Sequence, residues 1–342
     1  MPQFDPASAA CAPSPFTPVS HTPVSLRPVS PGPVSPVPVS PVPVSSSPLT
    51  SIIVPVFREY PERLRRAIDS VRRQSSPHWE LILVSDDGVY YEHLLADVVA
   101  GDPRFRFAST GRIAAGPSAA RNVGLNMAAG DAVAFLDSDD FLEPDKLAVM
   151  TPLAMSYGVA IDNTRYGFEN GESAMGVYCP RATEGLHNLS FFLNIPWPLI
   201  PVYNRRRFPD ARFAEDIRFA EDMLFNFTML LSNGGGYFVS RSLHNYLIRP
   251  VSMSHGPDAG QRADDSYTRI IANLVARSAP AVLVSAMERK RLINRQFLEW
   301  QQWEQGSFHD FVSGELAAGE STSGESTSGE LASGELVSRA SV

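Results

Sequence analysis

Three aspartates close the stretch AVAFLDSDDF at residues 132–141: Asp137, Asp139 and Asp140, with Ser138 between the first two. A second pair, Asp86 and Asp87, closes the apolar run of WELILVSDDG at 79–88. Apolar runs of this kind build buried strands, and a carboxylate at the end of one is costly to desolvate unless a positive charge compensates it. An Asp-x-Asp turn at a strand end suits a hard divalent cation, Mg²⁺ or Mn²⁺, which takes oxygen ligands from one or two carboxylates and completes its shell with substrate phosphates. Such a cation stabilises negative charge on a departing group. The competing reading is local, because Asp137 and Asp140 could cap the following turn by accepting from nearby amides.

The elements that must position these acids follow from the apolar pattern. LTSIIVPVF (49–57) is a continuous β-branched run, as expected of a strand buried on both faces. In PERLRRAIDSVRRQ (61–74), Leu64, Ile68 and Val71 recur at helical spacing behind a proline at the first helical position. WELILVS predicts a second strand, residues 90–100 a helix and RFRFAST (104–110) a third strand. GPSAARNVGLNMAAG (116–130) reads as a helix with a Gly-Pro entry and a Gly130 exit, and AVAFLD (132–137) as a fourth strand. This β-α alternation predicts an α/β fold: an open, mostly parallel sheet with helices on both faces. Ligands of such sheets lie beyond the carboxyl ends of the strands. Asp86, Asp87, Asp137 and Asp139 all fall there.

Composition narrows the function classes. The chain of 342 residues has a formal net charge of −8 and no dense basic stretch, which argues against nucleic acid as a partner. Its best basic cluster, YNRRRF (203–208), fits a solvated loop or a grip on phosphate. Two cysteines, Cys11 and Cys179, exclude a disulfide scaffold and a four-cysteine zinc site. No apolar run approaches the ~20 residues that span a bilayer, and no basic-then-apolar leader opens the sequence. The expected location is the cytoplasm, with contact at the inner membrane face left open. Residues 16–45 repeat Pro-Val-Ser with a five-residue period, and residues 313–336 repeat Gly-Glu with the same period. Neither segment can bury a core. The expected organisation is a disordered tail at 1–48, a sheet domain at 49–255, a helical extension at 256–311 and a second disordered tail at 312–342.

The order of features resembles glycosyltransferase family 2. The matching pieces are SIIVPVFRE (51–59), AIDSVRRQS (67–75), ELILVSDDG (80–88), GPSAARNVGL (116–125), GDAVAFLDSDDFLEPDKL (130–147) and FAEDMLFN (219–226). The resemblance covers about 50–255 and implies a Rossmann-like GT-A fold that binds a nucleotide-diphospho-sugar. It places Pro55, Val56 and Phe57 where the first strand meets the nucleoside, with Glu59 near the same pocket. Asp87 matches the residue that hydrogen-bonds the base, and a UDP-sugar is the expected donor. Arg121 matches the arginine of the ARN motif beside the sugar and phosphates. Asp137 and Asp139 match the DxD motif, with Asp139 contacting the metal and Asp137 the ribose or the metal. His255, in HNYLIRPVSMSH (244–255), is the further candidate for the metal site. The aspartate of the ED pair, Asp222, matches the general base; its bland alternative is an acid facing the helix dipole. Asp216, in the near copy FAEDIRF (213–219), is the decoy.

What the resemblance implies is a metal-dependent, inverting transfer of a single sugar to an acceptor hydroxyl. The acceptor is a glycan, a lipid-linked sugar or a small molecule. The Gln-x-x-Arg-Trp motif of processive synthases is absent; QQWEQG (301–306) echoes it loosely. PWPLIP (196–201) either shapes the acceptor pocket or packs in the core, and RKRLINRQFLEW (289–300) either rests on an anionic membrane or packs as an ordinary helix. Two alternatives stand beside this reading. A nucleotidyltransferase on a related fold would want a glycine-rich basic loop after the first strand, where PVFREYPERL has no glycine. A non-catalytic sugar-nucleotide-binding or scaffolding protein would not need both Asp139 and Asp222.

Overall fold

A computed structural model of the chain describes residues 49–99, 101–168, 176–179, 181–195, 197–249, 259–276 and 278–301. The tails expected at 1–48 and 312–342, and His255, lie outside the described residues. The elements run β1 (Thr50–Val56), α1 (Pro61–Arg72), β2 (Trp79–Ser85), α2 (Tyr91–Leu94), α3 (Ala96–Val99), β3 (Phe105–Ser109), α4 (Pro117–Met127), β4 (Ala132–Phe135), β5 (Phe141–Leu142), α5 (Lys146–Tyr157), β6 (Val159–Phe168), β7 (Gly176–Val177), β8 (Gly185–Asn188), α6 (Leu189–Asn194), β9 (Pro201–Asn204), α7 (Glu221–Asn233), β10 (Gly235–Ile248), α8 (Ala259–Ala276) and α9 (Ala281–Gln301).

One sheet carries every strand, in the order β3-β2-β1-β4-β9-β6-β10-β5, with β7 beside β6 and β8 beside β10. The first four strands are parallel, as the β-α alternation requires. Beyond β4 the sheet is mixed: β9 runs antiparallel to both β4 and β6, while β10 lies parallel to β6 and antiparallel to β5 and β8. The expectation of a mostly parallel sheet therefore describes the N-terminal half. Short strands such as Pro201–Asn204 sit beside loops and give no crossover signal in sequence.

Side-chain alternation along β1 divides the core. Ile53 faces a cluster with Ala120 and Leu125 of α4, Phe225 and Phe227 of α7, Tyr267 and Ile270 of α8 and Met287 of α9. Ile52, Val54 and Val56 face Leu64, Ile68 and Val71 of α1 and Leu147 and Met150 of α5. The predicted helix at 90–100 divides at Leu95 into two short turns. The helix expected through 130 ends at Met127. Gly130 is needed for close approach rather than for capping, because a Cβ there would lie 2.6 Å from the Ser51 amide nitrogen. Gly116, at φ 106° ahead of Pro117, supplies the left-handed entry to α4.

Candidate active site

Both acidic groups stand at the carboxyl edge of the parallel strands, and within each group the acids divide the work. Asp86 is buried and accepts from Thr110 Oγ1 at 2.8 Å, the Ala115 amide at 2.9 Å and the Gly116 amide at 2.8 Å. It thereby ties β2 to the entry of α4. Asp87 receives four hydrogen bonds: from Ser85 Oγ at 3.0 Å, the Val89 amide at 3.0 Å, the Arg58 amide at 2.6 Å and Tyr91 Oη at 2.7 Å. Burial alone would push its carboxyl up, but the Arg58 amide, the Tyr91 hydroxyl, the Val89 amide and the Ser85 hydroxyl together hold it below the usual aspartate value. Arg58 reaches Asp87 from a left-handed backbone, φ 52°, with its guanidinium 5.2 Å from the Phe57 ring centre. Pro55 is half-buried in β1, and Phe57 stands 44% exposed just past the strand end. Phe57 and Asp87 thus frame the space beyond β1 and β2.

At the end of β4 the acids meet arginines. The Leu136 amide still donates to Ile53 O at 3.1 Å, and the chain then turns away. Asp140, almost fully buried, accepts from the Leu247 amide at 2.9 Å and pairs with His244 Nε2 at 3.0 Å. Burial depresses the His244 imidazole to about 3, so the ring is neutral, and burial with Asp137 alongside pushes the Asp140 carboxyl well above the usual aspartate value. Asp140 is therefore a fastener between the DSDD turn and β10. Asp137 is half-exposed and takes a 2.9 Å bond from Arg121 Nη2. The Asp139 carboxylate pairs with Arg249 Nη2 at 2.6 Å, and its carbonyl accepts from Arg66 Nη2 at 2.7 Å. Burial, with Asp140 and Asp137 alongside, pushes the Asp139 carboxyl up to about 8 against the pull of Arg249. Glu59, expected beside the nucleoside, instead turns to this edge. Its Oε2 accepts from Ser138 Oγ at 3.1 Å and meets Arg249 Nη1 at 3.5 Å, while Oε1 pairs with Arg63 at 3.2 Å.

Arg121 joins this edge to α7. From a buried position on α4, its Nη1 reaches Glu221 Oε1 at 2.8 Å while Nη2 holds Asp137, and its guanidinium lies 5.3 Å from the Phe213 ring centre. Burial opposes its charge, but Asp137 and Glu221 hold its pKa above the usual arginine value. Asp222, next to Glu221 in the first turn of α7, is pushed up to about 6 by burial and by Glu221, with Arg121 pulling the other way. A carboxyl so placed is ionised at neutral pH and retains some basicity. Asp216 is exposed in the turn before α7, where Phe213 and Ile217 of the same near copy are the buried residues.

Asp137, Asp139, Glu59, Arg121 and Asp222 therefore converge, while Pro55, Phe57 and Asp87 form the neighbouring edge. Three residues of this site were not singled out in the sequence: Arg249, Arg66 and Glu221. Arg249 sits in the LIRP piece directly after β10, six residues before the sequence candidate His255. Among the described residues no trio of His, Cys, Asp or Glu is arranged to hold a metal. The oxygens of Asp139 and Asp137 nonetheless match the donor set of a hard divalent cation, which needs one or two carboxylates when phosphate completes its shell. The raised pKa of Asp139 marks a carboxyl whose ionised form the protein only partly compensates.

Other candidate features are accounted for by packing. Trp197 is buried and stacks on Tyr178 at 4.8 Å and 7°. In YNRRRF, Arg205 Nε donates to Gly130 O at 2.7 Å and Arg206 pairs with Asp131 at 2.5 Å, at the far end of β4. On α9, Arg291 and Arg295 both pair with Asp264 of α8 at 2.9 Å, and Lys290 is buried beneath them, donating to Ile195 O. Among the described residues no helix is long and apolar enough to cross a membrane.

The arrangement is that of a GT-A fold. The structure of residues 1–349 of TarS from S. aureus superposes with a TM-score of 0.56 at 17% identity, over 72% of this chain and 71% of that one. The same TarS fragment in complex with UDP-GlcNAc gives 0.52 at 20% identity, over 65% and 66%. The family model described as glycosyl transferase family 2 matches residues 51–209, and that region is a glycosyltransferase family 2 domain. A glycosyltransferase of Haemophilus influenzae, otherwise uncharacterized, is 36% identical over 121 residues, 34% of this chain and 47% of that protein. WfgD of Escherichia coli, a UDP-Glc:alpha-D-GlcNAc-diphosphoundecaprenol beta-1,3-glucosyltransferase, is 29% identical over 128 residues, 37% of this chain and 49% of WfgD. The chain spans less than half the length of these curated relatives. Asp222 and Arg249 lie beyond the matched residues 51–209.

Proposed function

We propose that the protein transfers a single sugar from a nucleotide-diphospho-sugar, a UDP-sugar, to an acceptor hydroxyl with inversion at the anomeric carbon. The observation that carries this reading is the double engagement of Arg121. By holding Asp137 and Glu221 at once, it sets the first turn of α7, and with it Asp222, beside the acidic edge of the sheet. A nucleoside would lie against Pro55 and Phe57 and exchange one of the Asp87 hydrogen bonds for a base N–H. Asp139 and Asp137 would hold a divalent cation, Mn²⁺ or Mg²⁺, which when bound supplies positive charge to the diphosphate leaving group.

Asp222 accepts the acceptor hydroxyl proton, and the oxygen attacks from the face opposite the diphosphate. The guanidinium of Arg121 keeps Asp222 ionised near neutral pH. Fixed positive charge beside the departing diphosphate is the largest contribution expected of such a site. An acceptor sugar carried on a lipid diphosphate is supported by the reaction named for WfgD. Such an acceptor would place the protein at the inner face of the cytoplasmic membrane without requiring a membrane span.

The test is calorimetric binding of UDP, GDP and dTDP to the full chain with and without Mn²⁺, on wild type and Asp139→Ala. Metal-dependent binding of UDP that is lost in the variant supports the reading. Failure of all three nucleotides under both conditions removes it and favours a non-catalytic role.

A further inference from the structure

The proposed metal position is already held by a side chain of the protein. Arg249, directly after β10, stretches one guanidinium nitrogen to Asp139 at 2.6 Å and the other to Glu59 at 3.5 Å. Its Nε is buried with no hydrogen-bond partner among the described residues, so the geometry spends both terminal nitrogens on the two acids and leaves a buried donor unmet. Such a donor is costly to leave in this state and gains when an acceptor oxygen arrives. The backbone under Arg249 is anchored, because the Leu247 amide and His244 both hold Asp140. The guanidinium can therefore swing while its Cα stays in place. A divalent cation on Asp139 would stand within a few ångströms of this guanidinium and repel it strongly.

Resting on the metal-dependent reading above, we infer that Arg249 is an exchangeable counterion: it neutralises Asp139 and Glu59 in the free protein, yields Asp139 to the metal, and re-pairs with the diphosphate of the donor. Glu59 keeps the side chain at the edge of the site during the exchange. A guanidinium suits this change of partner because its planar fork matches carboxylate and phosphate oxygens equally well. The consequence is positive coupling between metal and nucleoside diphosphate. Metal alone must displace Arg249 with nothing to receive it, whereas metal and diphosphate together give the displaced guanidinium a new partner.

The experiment measures Mn²⁺ binding to the full chain by electron paramagnetic resonance of free Mn²⁺, with and without saturating UDP, for wild type, Arg249→Met and Arg249→Lys. Thermal melting confirms that each variant is folded. Wild type should bind Mn²⁺ weakly alone and about tenfold more tightly with UDP, within the ordinary range of couplings between sites. Arg249→Met should bind Mn²⁺ alone about tenfold more tightly than wild type, lose the enhancement by UDP and bind UDP more weakly. Arg249→Lys should fall between. Unchanged or weaker Mn²⁺ binding in a folded Arg249→Met, with the UDP enhancement intact, overturns the exchange and leaves the proposed function standing. UDP binding in wild type with no Mn²⁺ uptake overturns both the exchange and metal dependence while sparing the donor class. Absence of binding by either ligand overturns the whole reading.

Discussion

The two acidic edges, at the ends of β2 and β4, are built on one plan and finished differently. In each, one aspartate is buried as a fastener: Asp86 holds the entry of α4, and Asp140 holds β10. In each, a neighbour faces the ligand edge. At β2 that neighbour, Asp87, is satisfied by amides and hydroxyls drawn largely from its own loop, and its carboxyl is held low. At β4, Asp139 and Asp137 are answered by guanidinium groups from α4 and from beyond β10, and Asp139 is still pushed up to about 8. Local dipoles make a stable hydrogen-bonding surface before any ligand arrives. Charges imported from afar leave a deficit that an incoming cation can fill. In the proposed function, the first edge recognises the base and the second receives the cation.

The largest expected effect tests that contrast directly. Asp139→Ala should lower sugar transfer about a thousandfold, as loss of electrostatic stabilisation of a leaving group does, and should remove Mn²⁺-dependent UDP binding. Asp87→Ala should weaken UDP binding only about tenfold, the worth of about one charge-assisted hydrogen bond, with Mn²⁺ uptake retained. Equal losses in the two variants would end the distinction between the edges.

The fasteners should register in stability. Asp86→Ala leaves the Ala115 and Gly116 amides without their acceptor, and Asp140→Ala leaves the Leu247 amide without its acceptor and His244 without its partner. Each should cost about 3 kcal/mol in chemical unfolding. Binding of UDP per folded molecule should fall less in both than in Asp139→Ala.

A smaller effect lies in the pH profile. As the proposed base, Asp222 would have to be ionised to accept a proton, and burial with Glu221 alongside places its pKa at about 6. Turnover should therefore rise with pH through about 6 and level off above it. Arg121→Met removes the cation that favours the ionised form, so the rising limb should move up by about one pH unit. A limb that stays in place would separate Arg121 from the base and confine it to holding the two edges together.

The smallest change sharpens the β2 edge. Tyr91→Phe removes the hydroxyl that donates to Asp87 at 2.7 Å and frees that oxygen for a base N–H. UDP affinity measured by calorimetry should improve about threefold, because the nucleotide no longer displaces an internal donor. Weaker binding would mean that Tyr91 itself touches the nucleoside.

Much of this was legible in the sequence. Continuous apolar runs located β1, β2 and β4, because a strand buried on both faces has to be apolar along its length, and the aspartates that close the runs of β2 and β4 fell at the carboxyl edge of the sheet. Proline and helical spacing located α1. The antiparallel half of the sheet was not legible, since β5 and β7 are two residues long and carry no periodicity. Nor were the partners of Glu59, which the family resemblance puts near the nucleoside pocket and the fold brings to Ser138 and Arg249.

The sequence by itself determined which residues carry charge at the strand ends, and hence that oxygen chemistry belongs there. Only the tertiary structure decided which acid of each pair is buried as a fastener and which faces the ligand. The reason is that a buried carboxylate is tolerated or exposed according to the donors that reach it, and those donors come from far along the chain. The Leu247 amide stands 107 residues from Asp140, and the Gly116 amide 30 from Asp86. Spacing within a motif records none of these contacts; they exist only once β10 has joined the sheet and α4 has packed against it.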